Sequence, residues 1–408
     1  MRVIFAPGPE AREAAGLLGL PWAVPLAEWE DPRLVNPRDP GVHRHVVRFI
    51  SEASIVWAIK ELPERLARRE YQLLRKLADL GIPSVIAQGV IVDRGPDLDA
   101  ALVTRYLEYS TTYRALFSDP RGILPTDRLL DALVELLVRL HLAGFYWGDC
   151  SLSNALFLLD AGALRACVVD VETSEYHPDL SEGQRTTDVI YARERVAGEL
   201  LDLEAGGLLS PELDPIAVAD ELEVVYWRLW GELTSEWPVP IGQERERVAE
   251  RLARLNRLGF DVDEVELTYA DEGDASLRVT TLVSEPGRHR RKLFQQTGLV
   301  AQENQALRLL NDLASYRVWL ERSGGVPVPE AVAANRWLNE VYYPVVNGIP
   351  PELRDRLDPV EVFHEVLVHR WFLSEKASAD VGTLAAAQSY FKKILPNVPD
   401  SLTSGTGH

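Results

Sequence analysis

The sequence predicts an α+β protein made of more than one folded unit, and three features support this fold class. Strand-forming residues dominate up to residue 106, helices dominate over residues 188–233, and a second set of strands and helices follows. The two sets are separated by Trp237-Pro238-Val239-Pro240, which has the composition of a linker. The chain has 408 residues, 46% of them hydrophobic and 26% charged, so it is globular and long enough for large cores.

The first unit begins with a Pro-rich segment. Residues 1–40 contain one short helical stretch, residues 9–20, and we interpret them as an N-terminal extension. Residues 46–60 are rich in β-branched and aromatic side chains and predict one or two strands. Leucines recur at helical spacing over residues 63–80 and Gly81 follows, so a helix is predicted there. Two more strands are expected over residues 84–92 and 100–106.

The next part is mostly helical. Residues 127–142 have a strongly amphipathic pattern, with Thr126 as a predicted N-cap and Gly144 as a C-terminal stop. After a short strand and a loop we expect a hairpin around Asp160-Ala161-Gly162. Beyond the linker, the pattern predicts a helix over 243–258, strands over 262–269 and 277–284, and long helices to the end.

Composition excludes several functional classes. The formal charge of −19 argues against broad binding to nucleic acid or to anionic membranes. Two cysteines, Cys150 and Cys167, make no disulfide framework, so a reducing, cytoplasmic setting is expected. No apolar run approaches the roughly 18 residues of a membrane span, and the first eight residues break too early for a signal peptide.

Lysine is rare in this chain. Only six of the 43 cationic residues are lysines, and Lys60 ends the segment Val56-Trp57-Ala58-Ile59-Lys60, which has the V-A-I-K form. A lone lysine is usually a solvated surface charge. A lysine kept where arginine is the default cation suggests that a compact point charge is needed, as for nucleotide phosphates.

Glu70 is the natural partner of this lysine. It lies on the apolar face of the predicted helix, four residues after Leu66 and four before Leu74. A carboxylate that faces a core needs a partner, although a position at the edge of the apolar stripe would leave it half in water. A strand-end lysine followed by an inward-facing glutamate predicts an ion pair between Lys60 and Glu70.

Three further residues complete a set with the chemistry of phosphoryl transfer. Asp149 and Asn154 lie on a loop with D-x-x-x-x-N spacing, and Asp170 ends an apolar strand of the next hairpin. Phosphoryl transfer needs one carboxylate to orient the acceptor hydroxyl, and an amide oxygen with a second carboxylate to hold Mg²⁺. Each residue alone could be a turn residue that caps local backbone.

The segment from His141 to Asn154, followed by Asp170, resembles the catalytic core of protein-kinase-like enzymes. It is most similar to the atypical small-molecule and lipopolysaccharide-kinase branch, where W/H-G-D-x-x-x-x-N is usual. The resemblance implies a two-lobed fold, with an N-lobe over 41–108 and a C-lobe over 109–235, that uses ATP and Mg²⁺. The implied roles are Asp149 as catalytic base, Asn154 and Asp170 as metal ligands, Lys60 with Glu70 as phosphate anchor, and Arg105, Tyr106 and Leu107 as the hinge that meets adenine.

The whole chain also resembles a bacterial family of unassigned function, in which such a domain precedes a domain of unknown function. The matching segments are residues 255–262, 285–291 and 303–312. The resemblance implies a mostly helical α+β C-terminal domain over 236–395. Residues 396–408 are rich in Pro, Ser, Thr and Gly and predict a flexible tail.

Several positions depart from the kinase pattern. The turn before Lys60 lacks the glycine-rich loop and carries Glu52, which is unfavourable for anions. Gly148 stands where an arginine would indicate control by activation-loop phosphorylation, and Val171-Glu172 follows Asp170 in place of Phe-Gly. Glu172 is either a further Mg²⁺ ligand or a solvated hairpin residue.

Weaker signals lie in the C-terminal domain. The cluster Arg288-His289-Arg290-Arg291-Lys292 is either an anion or substrate site or a basic segment paired with nearby acids. Asn304, Arg308 and Asn311 share a helix face, which favours an interdomain hydrogen-bond network over an active site. His364 and His369 are five residues apart, about 140° around a helix, so two separate histidines are expected instead of a zinc motif.

The sequence therefore predicts an ATP- and Mg²⁺-dependent phosphotransferase that acts on an unknown small-molecule or protein acceptor. The alternatives are a nucleotide-binding pseudokinase scaffold and a kinase-fold nucleotidyltransferase. Assembly as a homodimer through the C-terminal domain is a further expectation.

Overall fold

A computed structural model describes residues 1–6, 13–36, 45–53, 55–117, 126–234, 237–240, 262–269, 276–283 and 287–398. The predicted α+β fold class is confirmed, because the first part of the chain is rich in strands and the second half is largely helical. Separate cores lie in the first 234 residues and in the C-terminal helices. The predicted helix over 243–258 and the predicted tail beyond residue 398 lie outside the described residues.

The N-lobe is a six-stranded antiparallel sheet with strand order β1-β5-β6-β4-β3-β2. Its strands are β1 (Arg2–Phe5), β2 (Leu34–Val35), β3 (Val47–Glu52), β4 (Ile55–Leu62), β5 (Ala87–Val92) and β6 (Ala100–Arg105). Helix α1 (Glu64–Asp79) follows β4 and packs its buried face on the sheet. Lys60 near the end of β4 contacts Glu70 of α1.

The first 36 residues, predicted as an extension, contribute to this lobe. Strands β1 and β2 form the two edges of the sheet. The segment of the chain between these two strands packs on the face of the sheet that contains Trp57. The core formed there includes Leu17, Trp22, Leu26 and Trp29. The strands here are two to four residues long and the helical turns are 3₁₀, so the segment has too little periodicity to be predicted from its pattern.

The C-lobe combines helices with a hairpin that carries the candidate site. Its helices are α2 (Tyr113–Phe117), α3 (Thr126–Leu142), α4 (Glu182–Ala205) and α5 (Pro215–Thr234), and its strands are β7 (Phe145–Tyr146), β8 (Ala155–Asp160), β9 (Ala163–Val168) and β10 (Glu175–Tyr176). The β8–β9 hairpin turns at Ala161 and Gly162, both with positive φ. Its open end holds Asn154 and Asp170, and its turn reaches the C-terminal domain.

The C-terminal part contains a small sheet and a helical domain. The sheet has strand order β11-β13-β12, formed by β11 (Trp237–Pro240), β12 (Val262–Tyr269) and β13 (Ser276–Val283). Residues 237–240, predicted as a linker, therefore pair as a strand. The helices are α6 (Arg288–Thr297), α7 (Glu303–Gly324), α8 (Glu330–Trp337), α9 (Tyr343–Asn347), α10 (Pro359–Ala377) and α11 (Thr383–Lys393), with a π-helical turn at Leu338–Tyr342.

In the part of the chain that the structure describes, no helix is both long enough and apolar enough to cross a bilayer.

Candidate active site

Lys60 lies between two carboxylates in the cleft between the lobes. Its Nζ is 3.0 Å from Oε2 of Glu70 and 2.7 Å from Oδ2 of Asp170. Strand β4 supplies the lysine, helix α1 the glutamate and the end of the β8–β9 hairpin the aspartate. The predicted Lys60–Glu70 pair is therefore formed, and the structure adds Asp170 as a second partner of the same ammonium.

Burial makes this cluster electrostatically sensitive. Glu70 is 1% exposed, and its burial, together with the charge of Asp170, raises the pKa of its carboxyl to about 7 in opposition to Lys60. Burial alone would lower the pKa of Lys60, but the charges of Glu70 and Asp170 outweigh it and the pKa is raised. The ammonium is thus held charged at the base of the cleft, where an anionic ligand would meet it.

Asp149 and Asn154 face each other across the loop before β8. The Nδ2 of Asn154 donates to the backbone oxygen of Asp149 at 3.0 Å and to its Oδ2 at 3.1 Å. The Oδ1 of Asp149 is 3.0 Å from Nε of Arg195, an exposed residue of α4. Because the amide nitrogen of Asn154 is engaged in holding the loop, its amide oxygen is left to accept a cation.

Glu172 contacts a histidine of the N-lobe, and its role as a further Mg²⁺ ligand stays a prediction. Its backbone N–H donates to Oδ1 of Asp170 at 2.9 Å, and its Oε2 is 3.0 Å from Nε2 of His45. Both side chains of this His45–Glu172 pair are about one-fifth exposed. The pair connects the N-lobe with the segment after Asp170, and both residues line the cleft.

Asp188 on α4 fixes the start of the loop that carries Asp149. It is fully buried and accepts hydrogen bonds from the backbone N–H groups of Trp147 at 2.6 Å and Gly148 at 2.9 Å. It also lies 3.0 Å from Nε2 of His141, whose other ring nitrogen meets the hydroxyl of Tyr226. Three donors around one buried carboxylate make this end of the loop rigid.

Glu199, three turns further along α4, fixes the other end of the loop. Its carboxylate accepts from the backbone N–H groups of Leu152 at 2.8 Å and Ser153 at 3.0 Å, and from the hydroxyl of Ser153. Asp188 and Glu199 were not predicted as site residues. Both lie on the apolar stripe of α4 beside Ala192 and Val196, which is the signal that identified Glu70.

A cavity of about 660 Å³ runs from these residues to the segment after β6. Its apolar lining includes Val47, Ala58, Leu102, Leu107, Leu156 and Val169. Two hinge amides are already used, because the N–H of Arg105 donates to Ile86 and that of Tyr106 to Val56. Among the described residues the N–H of Leu107 has no backbone partner, so it is the hinge donor that remains for a base.

The acidic residue at the turn before β4 points away from this cavity. Glu52 pairs with Arg33 at 2.8 Å on the side of the N-terminal segment, and it does not line the cavity. The expected repulsion between Glu52 and bound phosphates therefore does not arise, although the glycine-rich loop itself is missing.

The basic cluster of α6 is paired. Glu303 accepts from the backbone N–H of His289 at 2.8 Å, and its carboxylate lies 3.4 Å from Nε of Arg290. Arg290 also reaches the carbonyl of Gly81 in the N-lobe, and Arg288 and Arg291 each make an interaction of their own. The contacts favour the reading of paired basic residues near the domain junction, while the anion site at residues 288–291 stays an untested prediction.

Both cysteines are buried thiols. Burial raises the pKa of Cys150 and raises that of Cys167 to about 11, so neither is a thiolate at neutral pH. They serve as small apolar side chains in the C-lobe core.

These elements are those of a kinase-like domain with an additional helical domain, and two family models match in that order. Residues 44–188 match the lipopolysaccharide kinase (Kdo/WaaP) family, and residues 228–395 match the domain of unknown function DUF4032. The chain therefore has a kinase-like region that matches the Kdo/WaaP family, followed by a region that matches DUF4032, which is the order that the sequence resemblance predicted.

Among solved structures, one that matches is described as "WaaP in complex with acyl carrier protein". It has 19% sequence identity, covers 63% of this chain and 97% of that chain, and has a TM-score of 0.36. No curated protein matches the chain.

Proposed function

We propose that this protein is an ATP- and Mg²⁺-dependent phosphotransferase of the atypical kinase-like type. The observation that carries the proposal is Lys60 held between Glu70 and Asp170, with Asp149 and Asn154 across the same cavity. The match of the first domain to a lipopolysaccharide kinase family supports phosphotransfer as the class of reaction. The acceptor stays open.

The cavity fits a nucleotide in one orientation. Its apolar walls and the N–H of Leu107 suit a purine at the hinge end. The ammonium of Lys60 suits phosphates at the other end, since a compact cation contacts phosphate oxygens closely. Glu70 keeps that ammonium in place and is itself too buried to meet the ligand.

The donor atoms present fit magnesium. Asn154 offers an amide oxygen and Asp170 a carboxylate, which are the hard oxygen ligands that Mg²⁺ prefers. When bound, Mg²⁺ would neutralise charge on the nucleotide phosphates. Asp170 meets Lys60 through one oxygen and the N–H of Glu172 through the other, so its orientation is already set.

Asp149 is the group that would act on the acceptor. Its carboxylate would accept the proton of the acceptor hydroxyl as that oxygen forms a bond to the γ-phosphorus, while the bond to ADP breaks. Asp188 and Glu199 hold the loop at both ends, which keeps this carboxylate in register with Asn154. Arg195 must release or share Asp149 during the reaction.

The ion pair between Arg195 and Asp149 also favours a second candidate function. If it persists with nucleotide bound, the protein is a nucleotide-binding pseudokinase scaffold. The missing glycine-rich loop points the same way, because backbone amides over the phosphates are lost.

Turnover with Mg·ATP separates these functions. ADP release and acceptor mass are measured for wild type, Asp149→Asn, Asp170→Ala and the exposed control Asp179→Asn. A phosphate added by wild type and by the control, but not by the first two variants, supports the phosphotransferase. Nucleotide binding without any product supports the scaffold, and addition of AMP identifies a nucleotidyltransferase instead.

The cytoplasmic localisation also remains a prediction. Two buried free thiols and no disulfide among the described residues are consistent with a reducing, cytoplasmic compartment.

A further inference from the structure

Helix α10 carries three metal-ligating side chains where the C-terminal domain meets the kinase-like domain. Glu361, His364 and Glu365 follow one another at helical spacings i, i+3 and i+4, so they share a face. Their ligand atoms all lie within 4.8 Å of one another. The face points at the turn of the β8–β9 hairpin, 200 residues away from Glu361 in the chain.

His364 is buried without a partner. The side chain is 6% exposed and has no hydrogen bond within the described part of the chain. An imidazole ring nitrogen offers a lone pair to a metal ion, and no donor among the described residues occupies the one at His364.

Glu365, unlike Glu361, makes no hydrogen bond or ion pair among the described residues. It is partly buried, and no lysine or arginine among those residues pairs with it. A buried charge needs compensation. Arg308 is exposed, so water screens its repulsion of a cation.

The ligand atoms converge on Gly162. The position that a Cβ would take on Gly162 is 3.9 Å from Nε2 of His364 and 4.0 Å from Oε1 of Glu365. The N–H of Gly162 donates to Oε1 of Glu361 at 2.7 Å. Because this residue has no side chain, the space among the three ligands stays open on the side of the hairpin turn.

We propose that Glu361, His364 and Glu365 form a binding site for a divalent transition-metal ion of the Zn²⁺ class. One imidazole and two carboxylates are ligands that Zn²⁺ accepts, and their charges balance the ion. Ligands of a tetrahedral site with bonds of about 2.1 Å lie about 3.4 Å apart, so the half-buried Glu365 closes inward on binding. The fourth position faces the turn at Gly162.

The site has a structural consequence. All three ligands belong to α10, so the ion would act at the junction by compensating the carboxylates that face the turn of the hairpin whose open end carries Asn154 and Asp170. The proposal does not depend on the proposed phosphotransferase activity.

The test uses the full-length chain without a histidine tag, stripped with EDTA and then titrated with ZnCl₂. Bound zinc is measured by mass spectrometry, and the melting temperature is followed in parallel because an ion that binds the native state raises it. Variants are His364→Ala, Glu365→Gln and the control His369→Ala, whose ring lies on the same helix and meets Ser389. Asp170→Ala removes the cleft as a competing site.

We expect one Zn²⁺ per chain in wild type, His369→Ala and Asp170→Ala. His364→Ala and Glu365→Gln should bind at least about tenfold more weakly. Should His364→Ala fail to fold, the partly exposed Glu365→Gln still decides. Absence of a zinc-dependent shift in wild type, or equal loss in His369→Ala, overturns the proposal.

Discussion

Glu70 in the cleft and Glu361 at the domain junction are matched in depth and differ in their partners. Each is 1% exposed, and burial raises the pKa of each carboxyl to about 7. Glu70 meets the ammonium of Lys60, which is shared with Asp170. Glu361 meets neutral donors only: the N–H groups of Ala161 and Gly162 and the side-chain amide of Gln305.

The difference in partners suits the two buried carboxylates to different roles, one in the chemistry of the cleft and the other in holding two domains together. A buried lysine shared by two carboxylates keeps a cation available to a ligand that enters the cleft. The carboxylate of Glu361 instead accepts from amide donors of the hairpin turn and of α7, and so it joins two surfaces. The junction is reciprocal, because Asp160 of the hairpin accepts from the N–H groups of Asn304 and Gln305 at the start of α7.

Removing the cation of the cleft should have the largest effect. Lys60→Met should lower phosphoryl transfer by about 10³-fold, since one preorganised charge that meets the transferring phosphates is lost. Product formation per unit time at saturating Mg·ATP is the measurement. Lys76→Met, a lysine of helix α1 that lies over the ring of Tyr176, is the matched control. An equal loss of rate in both variants would show that Lys60 is not part of the active site.

Removing Glu361 should act on stability instead. Glu361→Ala should lower the free energy of unfolding by about 2–4 kcal/mol, because three buried donors lose their acceptor. Urea unfolding in EDTA measures this without any contribution from bound metal. Glu375→Ala, an exposed glutamate on the same helix, should change it little. A Glu361→Ala variant as stable as the control would contradict the docking role.

Neutralising Glu70 should affect activity more than stability. Glu70→Gln should slow transfer by about ten- to a hundredfold, since Lys60 loses the partner that positions it. The free energy of unfolding should stay nearly constant, because an amide avoids the desolvation of a charge. Rates and urea midpoints of this variant are compared with those of Glu361→Gln, for which we expect a lower free energy of unfolding and a smaller change in rate.

The smallest effect concerns pH. Burial lowers the pKa of His141 below 6.5, against the opposing influence of Asp188, so the folded state binds a proton less readily than the unfolded state. The contribution of this residue to stability is therefore complete above about pH 6.5 and is lost as the pH falls below it. Melting temperatures between about pH 8 and pH 5 should fall less steeply in His141→Gln than in wild type. Equal slopes of melting temperature against pH in the two proteins would show that protonation of His141 does not cause this loss of stability.

Local pattern was sufficient to single out candidate residues that come together. Glu70, Asp149, Asn154 and Asp170 occupy short segments of recognisable pattern, and all four line one cavity, while their roles stay predictions. Asp188 and Glu199 lie 39 or more residues beyond Asp149, so knowing what they hold requires the packing of α4 against the loop. A carboxylate on the apolar stripe of a helix indicates such a residue, but the sequence does not show which groups it contacts.

The junction was harder to predict for the same reason. The interdomain network predicted from the polar face of α7 is formed by other groups: the hydrogen bonds come from the backbone of Asn304 and from Gln305 instead of from Arg308 or Asn311. Glu361 carried no signal of its own, since its donors lie 199 and 200 residues away in a turn.

Binding of Mg·ATP to the full-length chain tests the central claim most directly. The melting temperature is measured with millimolar ATP, with and without Mg²⁺, for wild type and Asp170→Ala. A ligand at about 100 times its Kd stabilises the native state by about 2.7 kcal/mol. We predict a Mg²⁺-dependent rise in wild type that is lost in Asp170→Ala. The absence of any nucleotide-dependent rise in wild type would contradict both the phosphotransferase and the pseudokinase.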